Sequence, residues 1–159
     1  MAGDDEILEL LNEHLTAELT GINQYFLNAK MLQNWGLPGL AKLFRDRSYE
    51  EMRDAEELMD RILYLDGHPN LQRLDTLRIG ESAVEMIELG LEFEREAIER
   101  LQRGIDLAGR KSDHGTRTLL EGMLREEEEH ADYYESQLSA IELVGEQAYL
   151  ARYTLPEST

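Results

Sequence analysis

Cysteine is absent from this 159-residue chain, which excludes disulfides, thiolate zinc sites and cysteine-held iron–sulfur clusters. Proline occurs only three times, so long helices can run without interruption. Basic residues are also scarce: 16 Lys and Arg stand against 34 Asp and Glu, a formal charge of -18. A phosphate backbone needs clustered Lys and Arg, so nucleic acid is not an expected partner. The acidity instead suits cations, or a surface kept in solution by repulsion. No apolar run approaches the roughly 20 residues that span a bilayer, and no membrane partner is expected. The first residues, Met1 to Glu6, are acidic and lead directly into an amphipathic pattern. They lack the basic and apolar regions of a secretory signal, so the expected location is the cytoplasm.

What the chain does have is helical periodicity. Hydrophobic residues at 42% and charged residues at 31% suit one strongly helical domain spanning 1–159. The pattern predicts an all-α fold with long helices over about 5–34, 40–65, 82–108 and 116–144. A short fifth helix is expected over 147–153. In the first helix Leu11, Leu15, Ile22 and Phe26 recur at helical intervals, as one buried face requires. Trp35 to Gly39 is a break, with Pro38 placed to start the next helix. Asp66 to Gly80 has no clear period and is too long for a tight hairpin, but it suits a crossover along a bundle. Two long helices, a crossover and two more long helices describe a ferritin-like four-helix bundle.

Four acids interrupt the apolar stripes. Glu18 lies among Leu11, Leu15, Ile22 and Tyr25, and Glu51 among Phe44, Ala55 and Leu58. Glu94 lies among Ile87, Leu91, Ile98 and Leu101, and Glu127 among Leu120, Leu124, Ala131 and Tyr134. Each pair, Glu18/Glu51 and Glu94/Glu127, has the same internal spacing, and a further ligand type follows each second member by three residues: Asp54 and His130. Glu51 and Asp54, like Glu127 and His130, are one turn apart and share a helix face. Burying unpaired carboxylates costs several kcal/mol each, and no Lys or Arg is evident on the matching stripes. Bound metal is the economical counter-charge. An oxygen-rich set with one imidazole suits two ions of iron or manganese, with zinc as a competitor.

The chain also resembles the bacterioferritins, the haem-containing bacterial members of the ferritin family, over almost its whole length. The resemblance is carried by Glu18-Leu19, Gly21-Ile22-Asn23-Gln24-Tyr25-Phe26-Leu27, Asn34-Trp35-Gly36-Leu37, Arg61-Ile62-Leu63, Pro69-Asn70-Leu71-Gln72 and Ile79-Gly80-Glu81. It implies a hollow shell of twenty-four subunits that oxidises Fe(II) with oxygen or peroxide and stores a ferric mineral. By the same resemblance Glu18, Glu51, Glu94, Glu127 and His130 hold a di-iron ferroxidase centre. Glu51 and Glu127 bridge, Glu18 and Glu94 are terminal, and Tyr25 stands beside the irons to supply a hydrogen bond or an electron. Met52 is implied as the axial ligand of a haem b shared by two subunits, with Leu19, Ile22, Asn23 and Phe26 lining its pocket. A ferredoxin is the implied partner for iron release.

Asp54 departs from the family pattern, which has histidine there. An aspartate oxygen reaches as far beyond its β-carbon as the near ring nitrogen of histidine, so ligation is sterically possible. Five carboxylates then carry -5 against +4 from two ferrous ions. The expectation is a site that holds ferric iron firmly and turns over slowly. Asp46 and Glu50, at positions where some members bind a further iron, read as solvated helix surface. Two other readings remain open. One is a haem-bearing subunit with weak ferroxidase activity that co-assembles with an active partner; the other is a di-iron oxidase or peroxidase unrelated to storage, similar to rubrerythrin.

Overall fold

Asp4 opens the first helix by accepting the Glu6 amide at 2.9 Å, and α1 runs Asp5–Asn34. In the computed structural model, which describes residues 2–156, four further helices follow. They are α2 (Pro38–Tyr64), α3 (Ala83–Arg110), α4 (His114–Val144) and α5 (Glu146–Ala151). Met1 and residues 157–159, the ends of the expected 1–159 unit, lie outside the described residues. None of the described helices is long and apolar enough to cross a membrane.

Local chemistry explains where helix ends differ from expectation. Pro38 occupies the first turn of α2, so that helix starts two residues earlier than the periodicity suggests. Asp113 caps α4 through the Thr116 amide at 3.1 Å, which draws His114 and Gly115 into the helix. Gly109 stays helical, and the reversal falls instead on Ser112, at φ 56°. At the other end of α4, Gly145 takes φ 86°, a conformation cheap only for glycine. The fifth helix stops at Ala151 rather than 153, yet Tyr153 still packs with Tyr149 at 5.2 Å between ring centroids. Both hydroxyls donate to Gln137 of α4, at 3.3 and 2.8 Å respectively.

α1 packs along α2 and α3 along α4, and α1 also meets α3. The crossover from Leu65 to Ser82 lies on α1 and is pinned by a polar stripe on one helix face, at spacings of eight and four residues. Asn12 accepts the Asn70 amide at 2.8 Å, Thr20 the Asp75 amide at 2.8 Å, and Gln24 the Arg78 amide at 3.0 Å. Thr20 and Gln24 are buried beneath it. The expected crossover therefore has no secondary structure of its own but satisfies its backbone on side chains.

Two apolar clusters fill the interior. One gathers Tyr25, Leu32, Phe44, Met86, Phe93 and Tyr134, and the other Leu11, Leu15, Leu58, Ile62, Leu101 and Leu120. Gly90 permits the first to close, because a Cβ there would lie 2.9 Å from the Tyr134 ring. Each fully buried Leu, Ile or Phe contributes about 1.5–3 kcal/mol. That total is large enough to hold acids at the seam between the clusters, where each costs several kcal/mol.

The expected buried face of α1 needs correction. Leu11 and Leu15 are fully buried, but Ile22 is only partly covered and Phe26 is 48% exposed. The inward positions beyond Glu18 are Tyr25, Ala29 and Leu32. Ile22 and Phe26 belong instead to an outer face with Leu19, Asn23 and, from α2, the 45%-exposed Met52. Ser48 donates to the Ile22 carbonyl at 2.8 Å and fixes the two helices beside this face.

Candidate metal centre

Glu18 on α1, Glu51 on α2, Glu94 on α3 and Glu127 on α4 are all fully buried. Each is carried inward by its helix's own apolar stripe, which leaves the carboxylate at the seam between the two clusters. The structure draws six residues into two overlapping groups. Glu18, Glu51, Asp54 and Glu127 have ligand atoms within 4.8 Å of one another, and so do Glu51, Glu94, Glu127 and His130. Glu51 and Glu127 belong to both groups. That is the geometry of two adjacent cation positions with two shared carboxylates.

Hydrogen bonding leaves these atoms free for a cation. Both carboxylate oxygens of Glu18, Glu51 and Glu127 are buried without a hydrogen-bond partner, as are one oxygen each of Asp54 and Glu94 and Nδ1 of His130. Buried polar atoms are almost always partnered, so such a concentration of orphans fits metal coordination.

The electrostatics are those of crowded acids. Burial, then the charges of Glu18 and Glu126, push Asp54 up to about 9. Burial and the adjacent Glu94 hold Glu127 well above the ordinary carboxylate range. Burial opposes ionisation of Glu94 too, but Glu127, His130 and the Tyr25 hydroxyl hold it below that range. Tyr25 donates to Glu94 Oε1 at 2.9 Å, so its link is to the α3 acid rather than to Glu18 on its own helix. Burial alone would keep His130 neutral, yet Glu50 and Glu94 raise it to about 9.

Several contributors were not legible beforehand. Glu50, expected as solvated surface, is partly buried with its carboxylate 2.8 Å from His130 Nε2. That contact turns His130 so that Nδ1 faces Glu94 at 3.5 Å. Glu126 joins Glu50 and His130 in a third group of potential ligands and lies against Asp54. Their only sequence signal is adjacency, since Glu50 precedes Glu51 and Glu126 precedes Glu127. Asp46 is exposed and paired with Lys42 at 2.8 Å, as a surface residue.

Basic groups also approach more closely than the stripes suggest. Arg47 is buried, bonds Glu50 at 3.0 Å and lies 5.6 Å from the centroids of the Tyr133 and Tyr134 rings. It stands one turn before Glu51, a spacing that would have revealed it. Arg100 reaches the other end through His14, whose Nε2 lies 3.0 Å from Glu18 Oε1.

Comparison with known proteins supports the same fold. Residues 8–144 match the model of the ferritin-like domain. The chain is 52% identical to a bacterioferritin of Streptomyces coelicolor over 151 residues, which cover 95% of this chain and 90% of that one. It is 39% identical to the bacterioferritin of Rhodobacter capsulatus, covering 94% and 92%. A solved mycobacterial bacterioferritin structure superposes with a TM-score of 0.96 at 49% identity, over 100% of both chains.

Proposed function

The chain belongs to the bacterioferritin family, and from that premise we propose that it stores iron by oxidising Fe(II) at the six-residue centre. The observation that carries this reading is the pair of ligand groups sharing Glu51 and Glu127, with their buried oxygens unpartnered. Glu51 and Glu127 bridge the two substrate ions. Glu18 and Asp54 complete one position, and Glu94 and His130 the other. Two ferrous ions give one electron each, and oxygen or peroxide accepts the pair together with two protons. Acids poised to gain and lose protons, Asp54 and Glu127 foremost, suit that exchange. Tyr25 holds Glu94 by its hydroxyl and sits where a tyrosine can lend a further electron.

Met52 with Leu19, Ile22, Asn23 and Phe26 is the proposed haem b face. A thioether amid half-exposed apolar side chains on one surface fits a flat apolar macrocycle held between two subunits. When bound, the haem supplies one-electron transfer for iron release, with a ferredoxin as the electron donor. The chain positions the ring: Met52 offers sulfur from α2, while Leu19, Ile22 and Phe26 of α1 exclude water. Twenty-four such subunits form a cytoplasmic shell around the mineral.

The test is iron titration followed by stopped-flow absorbance, with native mass and haem content measured on the same sample. The rapid phase should saturate at two Fe(II) per chain. A monomer or dimer with no iron core would favour the rubrerythrin-like reading instead.

Asp54 favours a second variant of the proposal. Its carboxyl holds a proton to about 9 and lies against Glu126, so a cation must displace that proton to enter. Asp54→His removes that competing carboxyl proton and, once metal is bound, one negative charge, and the expected result is a rapid phase several-fold faster than wild type. An equal or slower phase sinks the slow-centre idea. A weak rapid phase in the single-component shell, with a second subunit co-purifying, supports a role as haem-bearing partner.

A further inference from the structure

His14 is one of the four histidines and has no part in the six-residue centre, yet it is only 1% exposed. It lies one turn before Glu18 on α1. Its Nε2 is 3.0 Å from Glu18 Oε1, without the alignment of a full hydrogen bond. Its Nδ1 is 3.2 Å from an Nη of Arg100 on α3. Arg100 is itself largely covered and leans on Glu13, 3.9 Å from its Nε.

Guanidinium has only donors. Arg100 therefore requires a bare, accepting Nδ1, and the ring proton must sit on Nε2. That nitrogen faces Glu18. An arginine on one helix thus sets the tautomer of an imidazole on another, and the imidazole presents N–H to a buried carboxylate. A carboxylate held by one oxygen offers the other inward, toward Asp54, Glu51 and Glu127.

We propose that His14 is a positioning residue for Glu18, set by Arg100, that pre-organises the cation position on the Asp54 side. The proposal rests on the two-metal reading and deepens it. That side is made of oxygen donors alone, whereas the other has His130. Glu18 has several rotatable bonds and no other hydrogen-bond or ion-pair partner among the described residues, so fixing it beforehand removes an ordering cost from binding. Outer partners of this kind commonly change metal affinity by about 10–100-fold.

Cobalt(II) is the probe, since its ligand-field absorption reports each ion without turnover. Chelator-treated wild type should bind two Co(II) per chain in resolvable steps. Asp54→Ala marks which step belongs to its side. His14→Leu should weaken that same step by about tenfold or more and leave the other within about twofold. His14→Gln, which keeps an N–H donor, should recover most of the loss. If His14→Leu folds and both steps match wild type, or both weaken equally, the inference is overturned. Should that variant not fold, Arg100→Leu leaves the ring in place and should weaken the same step; an unchanged titration overturns the inference. Wild type that fails to bind two cobalt ions overturns the two-metal reading and this inference together. Two ions bound, with the variants unaffected, overturns the inference alone.

Discussion

Glu127→Gln should cost at least about 100-fold in the rapid phase of Fe(II) oxidation while leaving the metal-free protein folded and close to wild-type stability. The two halves of this prediction have separate origins. Loss of a group outside the ligand set already costs about 10–100-fold, so loss of a shared ligand sets that range as a floor. Stability behaves differently because burial and Glu94 hold Glu127 well above the ordinary range. That direction favours the protonated carboxyl in the metal-free fold, and glutamine matches the protonated form in shape and charge. Stopped-flow absorbance and thermal denaturation on the same preparation separate the two. A variant that oxidises iron within about tenfold of wild type would remove Glu127 from the bridging role. An unfolded one would show that its carboxyl does structural work that glutamine cannot replace.

The metal-free protein should lose stability as pH rises from 6 to 9, and divalent metal should reverse the trend. Asp54 titrates near 9 in the fold against 3.8 in an unconstrained chain. Between those values the folded chain holds the extra proton, so stability falls with rising pH. His130 moves from 6.5 to about 9, again upward. Its contribution is complete below about 6.5 and is lost as pH passes 9, so the two groups act with the same sign. The lowered carboxyls, Asp4, Glu50, Glu94 and Asp113, act oppositely, but only as pH falls through the acid range. A melting temperature about 3 °C or more lower at pH 9 than at pH 6 is expected, since 1 kcal/mol moves a chain of this size by about 2–4 °C. Manganese(II), which does not turn over readily, should raise the melting temperature most at high pH, where its ligands are already ionised. At one hundred times its dissociation constant a single ion adds about 2.7 kcal/mol. A flat metal-free profile across this window would mean that the acids are ionised at little cost and the crowding argument fails.

The sequence made some layers of this molecule readable and hid others. Glu18, Glu51, Glu94 and Glu127 stood out because an acid on an apolar stripe breaks a strong local period. Helix ends shifted by about two residues because caps decide them, and a cap such as Asp113 acts on amides that periodicity ignores. The outward turn of Phe26 has a geometric cause. Fifteen residues on from Leu11, an ideal helix has rotated about 60° off the starting direction, while Tyr25 stays within about 40° on the other side. Spacings of three and four look equivalent locally and diverge over a long helix. Glu50, His14 and Arg100 were hidden for another reason. Their roles depend on partners from other helices, and nothing in their own segments distinguishes them from solvated charge. The polar stripe Asn12, Thr20 and Gln24 had a visible period, but its meaning depended on the crossover that lies over it.

That crossover bears on the order of assembly. Each helical hairpin carries half of the ligand set: Glu18, Glu51 and Asp54 on one, Glu94, Glu127 and His130 on the other. Either hairpin forms from nearby residues at little loop-closure cost, whereas joining them closes a long loop. The segment from Leu65 to Ser82, bonded along α1, sets the approach of the second hairpin to the first. The last step of folding is then the one that brings like charges together. A divalent cation present at that moment acts as a template, welcoming the second half-site where the bare chain would resist it.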